Sequence, residues 1–110
     1  MDFKRLNVVD TDNELSHFAR ALALPVRISI VRILIINGDW VGPDVFAELE
    51  KGKVTIDRHL KAMLYLNIIK EKHYNRKTYY AINEDVFIKI SEEFIGLFDF
   101  FKTSWAKAKQ

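Results

Sequence analysis

The sequence predicts a mostly helical domain carrying one small β-hairpin, with about five helices and two strands. Apolar residues recur at helical spacing from Leu15 onward. Between residues 68 and 82 that spacing gives way to runs rich in β-branched and aromatic side chains, and from Glu84 it returns. The 110 residues, 49% hydrophobic and 29% charged, suit a single domain over 1–110. That length buries a core without disulfides or metals.

Each element has its own signal. "TDNE" at residues 11–14 matches a reciprocal capping box, which should open a first helix over about 12–23. Leu15, Phe18, Ala19 and Leu22 form its apolar stripe. Pro25 suits the first turn of a second helix, "PVRISIVRILIIN", which Gly38 ends. Apolar almost all round, it is expected to be the most buried element. "NGDWVGP" has turn chemistry, and Pro43 then opens a short third helix, "PDVFAELE", with Val45, Phe46 and Leu49 inward.

A fourth helix is expected from about Lys53 to Asn67, with Gly52 as its N-cap. A helical wheel centred on Leu60 brings Ile56, Met63, Leu64 and Asn67 to one face. Val54, Thr55, Arg58, Lys61, Ala62 and Tyr65 fall on the other. The core face is complete without them. "IIKEKH", a turn "YNRK" and "TYYAI" then make a hairpin over 68–82 with Arg76 and Lys77 at its tip. Asn75 suits the dihedrals of a tight turn. Such a hairpin is marginal alone and must lean on the helices. A last helix covers 84–105, roughly 33 Å at 1.5 Å per residue.

The net charge of +2 names no partner, but its distribution does. Lys53 to Tyr79 holds seven Lys or Arg against two acids, which is +5 and leaves −3 for the remainder. A local basic patch on a nearly neutral chain fits an anion-facing surface. Two helices around a short turn over 43–67, followed by a basic-tipped hairpin, compose a winged helix-turn-helix. The major groove of double-stranded DNA, about 12 Å wide, admits one helix, and a wing can lie on the neighbouring backbone. The candidate DNA-binding residues are Lys53, Val54, Thr55, Arg58, Lys61, Asn75, Arg76 and Lys77. The cations would neutralise phosphates. Val54 and Thr55 suit a thymine methyl, and Arg58 suits either guanine or phosphate.

"ALALPVRISIVRIL", "TIDRHLKAMLYLNIIKEK" and "NRKTYYAI" together resemble the opening, the recognition helix and the wing of ArsR-type transcriptional repressors. The resemblance covers about residues 15–101. It implies a homodimer on a pseudo-palindromic operator, with the first and last helices (12–23 and 84–105) forming the interface. Leu15, Phe18, Leu22, Phe87, Phe94, Leu97, Phe98, Phe101 and Trp105 are the interface candidates. The apolar stripe of the last helix, wider than a small domain covers, also points to self-association.

The chain departs from the family pattern at three places. Asp57 stands where Ser is usual. "EKGK" replaces the usual turn before the recognition helix. "WVGPDV" and "EDVFIKISEEF" lack the Cys and His that metal-sensing members carry there, so neither a metal nor another cofactor is expected. Ser16 with His17, and Asp57 with His59, point apart on a helix and make no catalytic dyad. Together with the missing nucleotide-loop and nucleophile motifs, this argues against an enzyme. The absence of cysteine and of a long apolar run fits a cytoplasmic protein with no membrane role. The rival reading is a winged-helix protein-interaction module that does not bind DNA. A small-molecule sensor with a pocket between the first and last helices is compatible with the DNA-binding reading.

Overall fold

A computed structural model describes residues 10–49 and 51–109. The order is α1 (Asp10–Ala21), α2 (Pro25–Asn37), a 3-10 helix (Pro43–Leu49), α3 (Lys53–Tyr65), β1 (Ile69–Tyr74), β2 (Lys77–Ile82) and α4 (Glu84–Ala108). The chain is thus mostly helical with one antiparallel hairpin, as its sequence pattern indicates.

The core gathers Phe18 and Ala21 of α1, Ile30, Val31 and Leu34 of α2, Phe46, and Ile56, Leu60 and Met63 of α3. Val41, Ile68, Ile69 and Ile90 complete it. Leu15, Leu22, Phe87 and Phe94 are partly buried against it, and the Phe18 ring meets Phe87 edge-on at 5.1 Å.

Sequence and structure differ in four places, each with a local cause. No capping box forms at 11–14: α1 already includes Thr11, and the Glu14 carboxylate instead accepts a 2.9 Å hydrogen bond from Lys89 of α4. The third helix is wound as a 3-10 helix. Residues three apart then eclipse, which stacks Phe46 and Leu49 on the side facing the core. Glu50, where that helix was expected to end, lies outside the described residues.

α2 is buried only along Ile30, Val31 and Leu34. Ile28, Ile35 and Ile36 are exposed, Ile36 by 76%, because a domain this small covers one side of its central helix. α3 stops at Tyr65, and Asn67 leaves the helix with φ 61°. There the Asn67 N–H donates to the Leu64 carbonyl and the Ile68 N–H to the Met63 carbonyl, a Schellman-type close. The chain therefore passes from α3 into β1 with Ile68 and Ile69 both buried.

The hairpin runs in register from Ile69 opposite Ile82 to Tyr74 opposite Lys77. Its two-residue loop places Asn75 and Arg76 at φ 50° and 64°, a type I′ turn. Val41 adds a third, one-residue rung, exchanging backbone hydrogen bonds of 2.9 and 2.8 Å with Tyr80. Beyond Phe94, α4 leaves the core and exposes Ile95, Leu97, Phe98, Phe100, Phe101 and Trp105. Among the described residues no helix is long and apolar enough to cross a membrane.

Leu60 is 1% exposed at the centre of the α3 contact. Leu60→Ala is expected to lower the unfolding free energy by about 2–5 kcal/mol, read by equilibrium urea denaturation.

Candidate nucleic-acid interface

Burying Ile56, Leu60 and Met63 forces the opposite side of α3 outward. Val54, Thr55, Arg58 and Lys61 are all exposed along that crest, with Val54 70% accessible, and Lys53 is exposed at the start of the helix, in line with Leu60. Ala62, expected on the same side, is half-buried at its margin. Gly52 sits at the helix N-cap with extended backbone, and its carbonyl accepts from the Ile56 N–H at 3.1 Å.

Asn75, Arg76 and Lys77 are exposed at the hairpin tip. A non-glycine residue in the left-handed region costs roughly 1 kcal/mol, and the usual second residue of this turn is glycine. Arg76 takes the position nonetheless, which sets a guanidinium at the outermost point of the hairpin.

Asp57 does not share the crest. It lines a groove between α3 and the hairpin with Lys61, Glu71, Thr78 and Tyr80. Burial raises the Tyr80 phenol above its ordinary value, and Glu71 and Asp57 add to the shift. The acid that departs from the family pattern therefore lies low on the flank of α3, bordering both the wing groove and a hollow with Pro43, Phe46 and Lys53.

Arg27 and His59 tie the crest to the body. The Arg27 Nε–H donates to His59 Nδ1 at 3.1 Å, and Arg27 Nη1 reaches the Ala21 carbonyl at 3.5 Å. One side chain thus joins the end of α1, the first turn of α2 and the middle of α3. Accepting at Nδ1 makes His59 the neutral tautomer protonated at Nε2. Burial holds its pKa below the ordinary 6.5, assisted by Arg27, Arg58 and Lys51. His59 thus has a packing role; Arg27, which holds it, does not stand out in the sequence because its partner is 32 residues away.

Trp40 does not stand out either. Hidden in a stretch read only as turn, it lies under Lys70 and Lys72, whose ammoniums stand 5.5 and 4.7 Å from its ring centroid. His73 faces its cross-strand partner Thr78, with Nδ1 3.0 Å from the hydroxyl, and His17 is exposed on α1. Among the described residues no group of three His, Cys, Asp or Glu could hold a metal. The hollow between α1 and α4 measures about 230 Å³, under the roughly 300–1,000 Å³ usual for small-molecule sites.

This arrangement matches solved structures. A crystal structure of an ArsR family transcriptional regulator superposes with a TM-score of 0.68 over 84% of this chain and 93% of that one, at 18% identity. HlyU from Vibrio cholerae gives a TM-score of 0.62 over 74% and 92%, at 11% identity. The chain has the winged helix-turn-helix fold. In sequence it matches no protein-family model and no curated protein. In that fold α3 stands at the position termed the recognition helix, and β1–β2 at that of the wing.

The unfolded chain binds a proton at position 59 more readily than the folded one, so stability is full above pH 6.5 and declines as pH falls through that value toward the lower folded pKa. Thermal unfolding of the wild type should show a falling midpoint from pH 7 to about pH 5.5. His59→Gln, which can accept from Arg27 and does not titrate, should flatten that dependence.

Proposed function

We propose that this protein is a DNA-binding transcriptional regulator acting as a repressor, with the α3 crest in the major groove and the wing tip on the adjoining strand. The observation that carries the reading is the joint exposure of two basic surfaces held in one fixed frame. Arg58 and Lys61 stand on the crest, Lys53 at the start of α3, and Arg76 and Lys77 on the tip. Likeness in fold to an ArsR family transcriptional regulator supports it. The protein acts in the cytoplasm and has no enzymatic role.

Within this reading the protein works as a homodimer on a pseudo-palindromic operator. The exposed apolar run on α4, from Ile95 to Trp105, is surface that a second copy would remove from water. Twofold symmetry then sets the two recognition helices about one DNA turn apart, near 34 Å. Leu97, Phe98, Phe101 and Trp105 supply the exposed part of that interface, while Phe18 stays in the core of its own protomer.

Selection from random-sequence DNA, followed by anisotropy titrations, should recover an imperfect palindrome. Lys61→Ala, and Arg76→Gly, which relieves the left-handed strain, should weaken every duplex alike and make the salt dependence shallower by about one phosphate each. Thr55→Ala should instead change which sequence is preferred. Absence of any shift at low salt would favour the protein-interaction reading.

Sedimentation should report a dimer for the wild type. Phe98→Glu with Phe101→Glu should give a folded monomer whose operator affinity falls at least tenfold. A wild-type monomer in sedimentation would remove the dimer from the account.

A further inference from the structure

The wing has a second charged surface, facing away from α3. Side chains alternate between the faces of a sheet. The register therefore sets Lys70, Lys72 and Tyr74 of β1 with Lys77, Tyr79 and Ala81 of β2 on one face. Glu71, His73, Thr78 and Tyr80 occupy the other, toward the recognition helix. Val41 pairs with Tyr80, so its neighbour Trp40 falls opposite Ala81, on the lysine-bearing face. Ala81 projects only a methyl, which leaves the indole room to lie across β2 and meet both lysines of β1.

Charge on this face is positive from Lys72 to Lys77 and mixed at its Lys70 end. Among the described residues neither Lys70 nor Lys72 has an ion-pair partner. The acids Asp39 and Glu84 border a hollow with Trp40, Lys70 and Ala81 at the end of the hairpin away from the tip, so Lys72 is the cation freest of acidic neighbours. Two ammoniums gathered over one ring repel each other. The ring quadrupole offsets this repulsion and holds both ammoniums over the indole, at 5.5 and 4.7 Å from its centroid. Lys77 and exposed Tyr74 carry the face without interruption to the Asn75–Arg76 tip.

We infer that the Trp40–Lys70–Lys72 face binds phosphates of the duplex flanking the operator, extending each protomer's footprint past the wing tip. The inference rests on the DNA-binding reading. Continuity with the tip selects the same phosphodiester chain over an acidic peptide: a backbone leaving Arg76 and Lys77 meets Lys72 and Lys70 next. Trp40 is a positioning residue that keeps the two ammoniums presented together.

The test uses the full chain and a duplex obtained by selection. One form ends at the operator, and the other is extended at one end by about ten base pairs, one helical turn. Anisotropy titrations between 50 and 200 mM salt should show tighter binding of the extended form. That advantage should shrink about tenfold across the range if two additional phosphates are engaged. The double variant Lys70→Gln, Lys72→Gln should bind the short form nearly as the wild type does and lose the advantage. Trp40→Leu should lose part of it.

Equal binding of both forms by the wild type, or an advantage kept by the double variant, would overturn this inference and leave the DNA-binding reading standing. Binding of neither form would overturn both. Competition by a polyglutamate peptide against the wild type but not the double variant, with both duplexes bound equally, would assign the face to an acidic partner instead.

Discussion

The seating of Leu60, flanked by Ile56 and Met63, is the constraint on which the exposed crest of α3 depends. A helix with 3.6 residues per turn that buries one stripe must present the opposite one. In α3 the buried stripe is closed completely, so Val54, Thr55, Arg58 and Lys61 have no place in the interior. The left-handed turn at Asn67 then leads directly into β1, with Ile68 and Ile69 buried on either side of the junction. Crest and wing are thereby parts of one frame, anchored through the same core.

Two further contacts stiffen that frame. Arg27 joins α1, α2 and α3 through the Ala21 carbonyl and His59. This gives the proline-x-arginine opening of α2 a physical purpose: Pro25 starts the helix, and two residues later a guanidinium in its first turn reaches the recognition helix. Val41 does the same for the wing. Two isolated strands are marginal in water, and the Val41–Tyr80 rung pins the hairpin to the segment between α2 and the 3-10 helix. By contrast the Lys89–Glu14 pair between α4 and α1 is exposed and adds little.

Much of this was legible in the sequence because it is written in local patterns. The periodicity around Leu60, the proline starts of α2 and the 3-10 helix, and the "YNRK" turn each depend on neighbours within a few residues. What was not legible is what distant residues decide. The Thr11–Glu14 motif reads as a cap, but α1 begins earlier and Lys89, 75 residues on, takes the glutamate. α2 reads as buried all round because hydropathy reports what could be covered, not what a small domain has available to cover it. Trp40 reads as part of a turn, since its pairing with Lys70 and Lys72 exists only once the hairpin has formed. The crest itself was legible for the simplest reason: it is the complement of the core.

Backbone amide shifts followed by NMR while a selected duplex is added test the central claim most directly. The account predicts perturbations concentrated at Lys53 to Lys61 and at Asn75 to Lys77, with the inward residues around Met63 nearly still. Changes confined to α4, or an unperturbed crest in the presence of bound DNA, would contradict it.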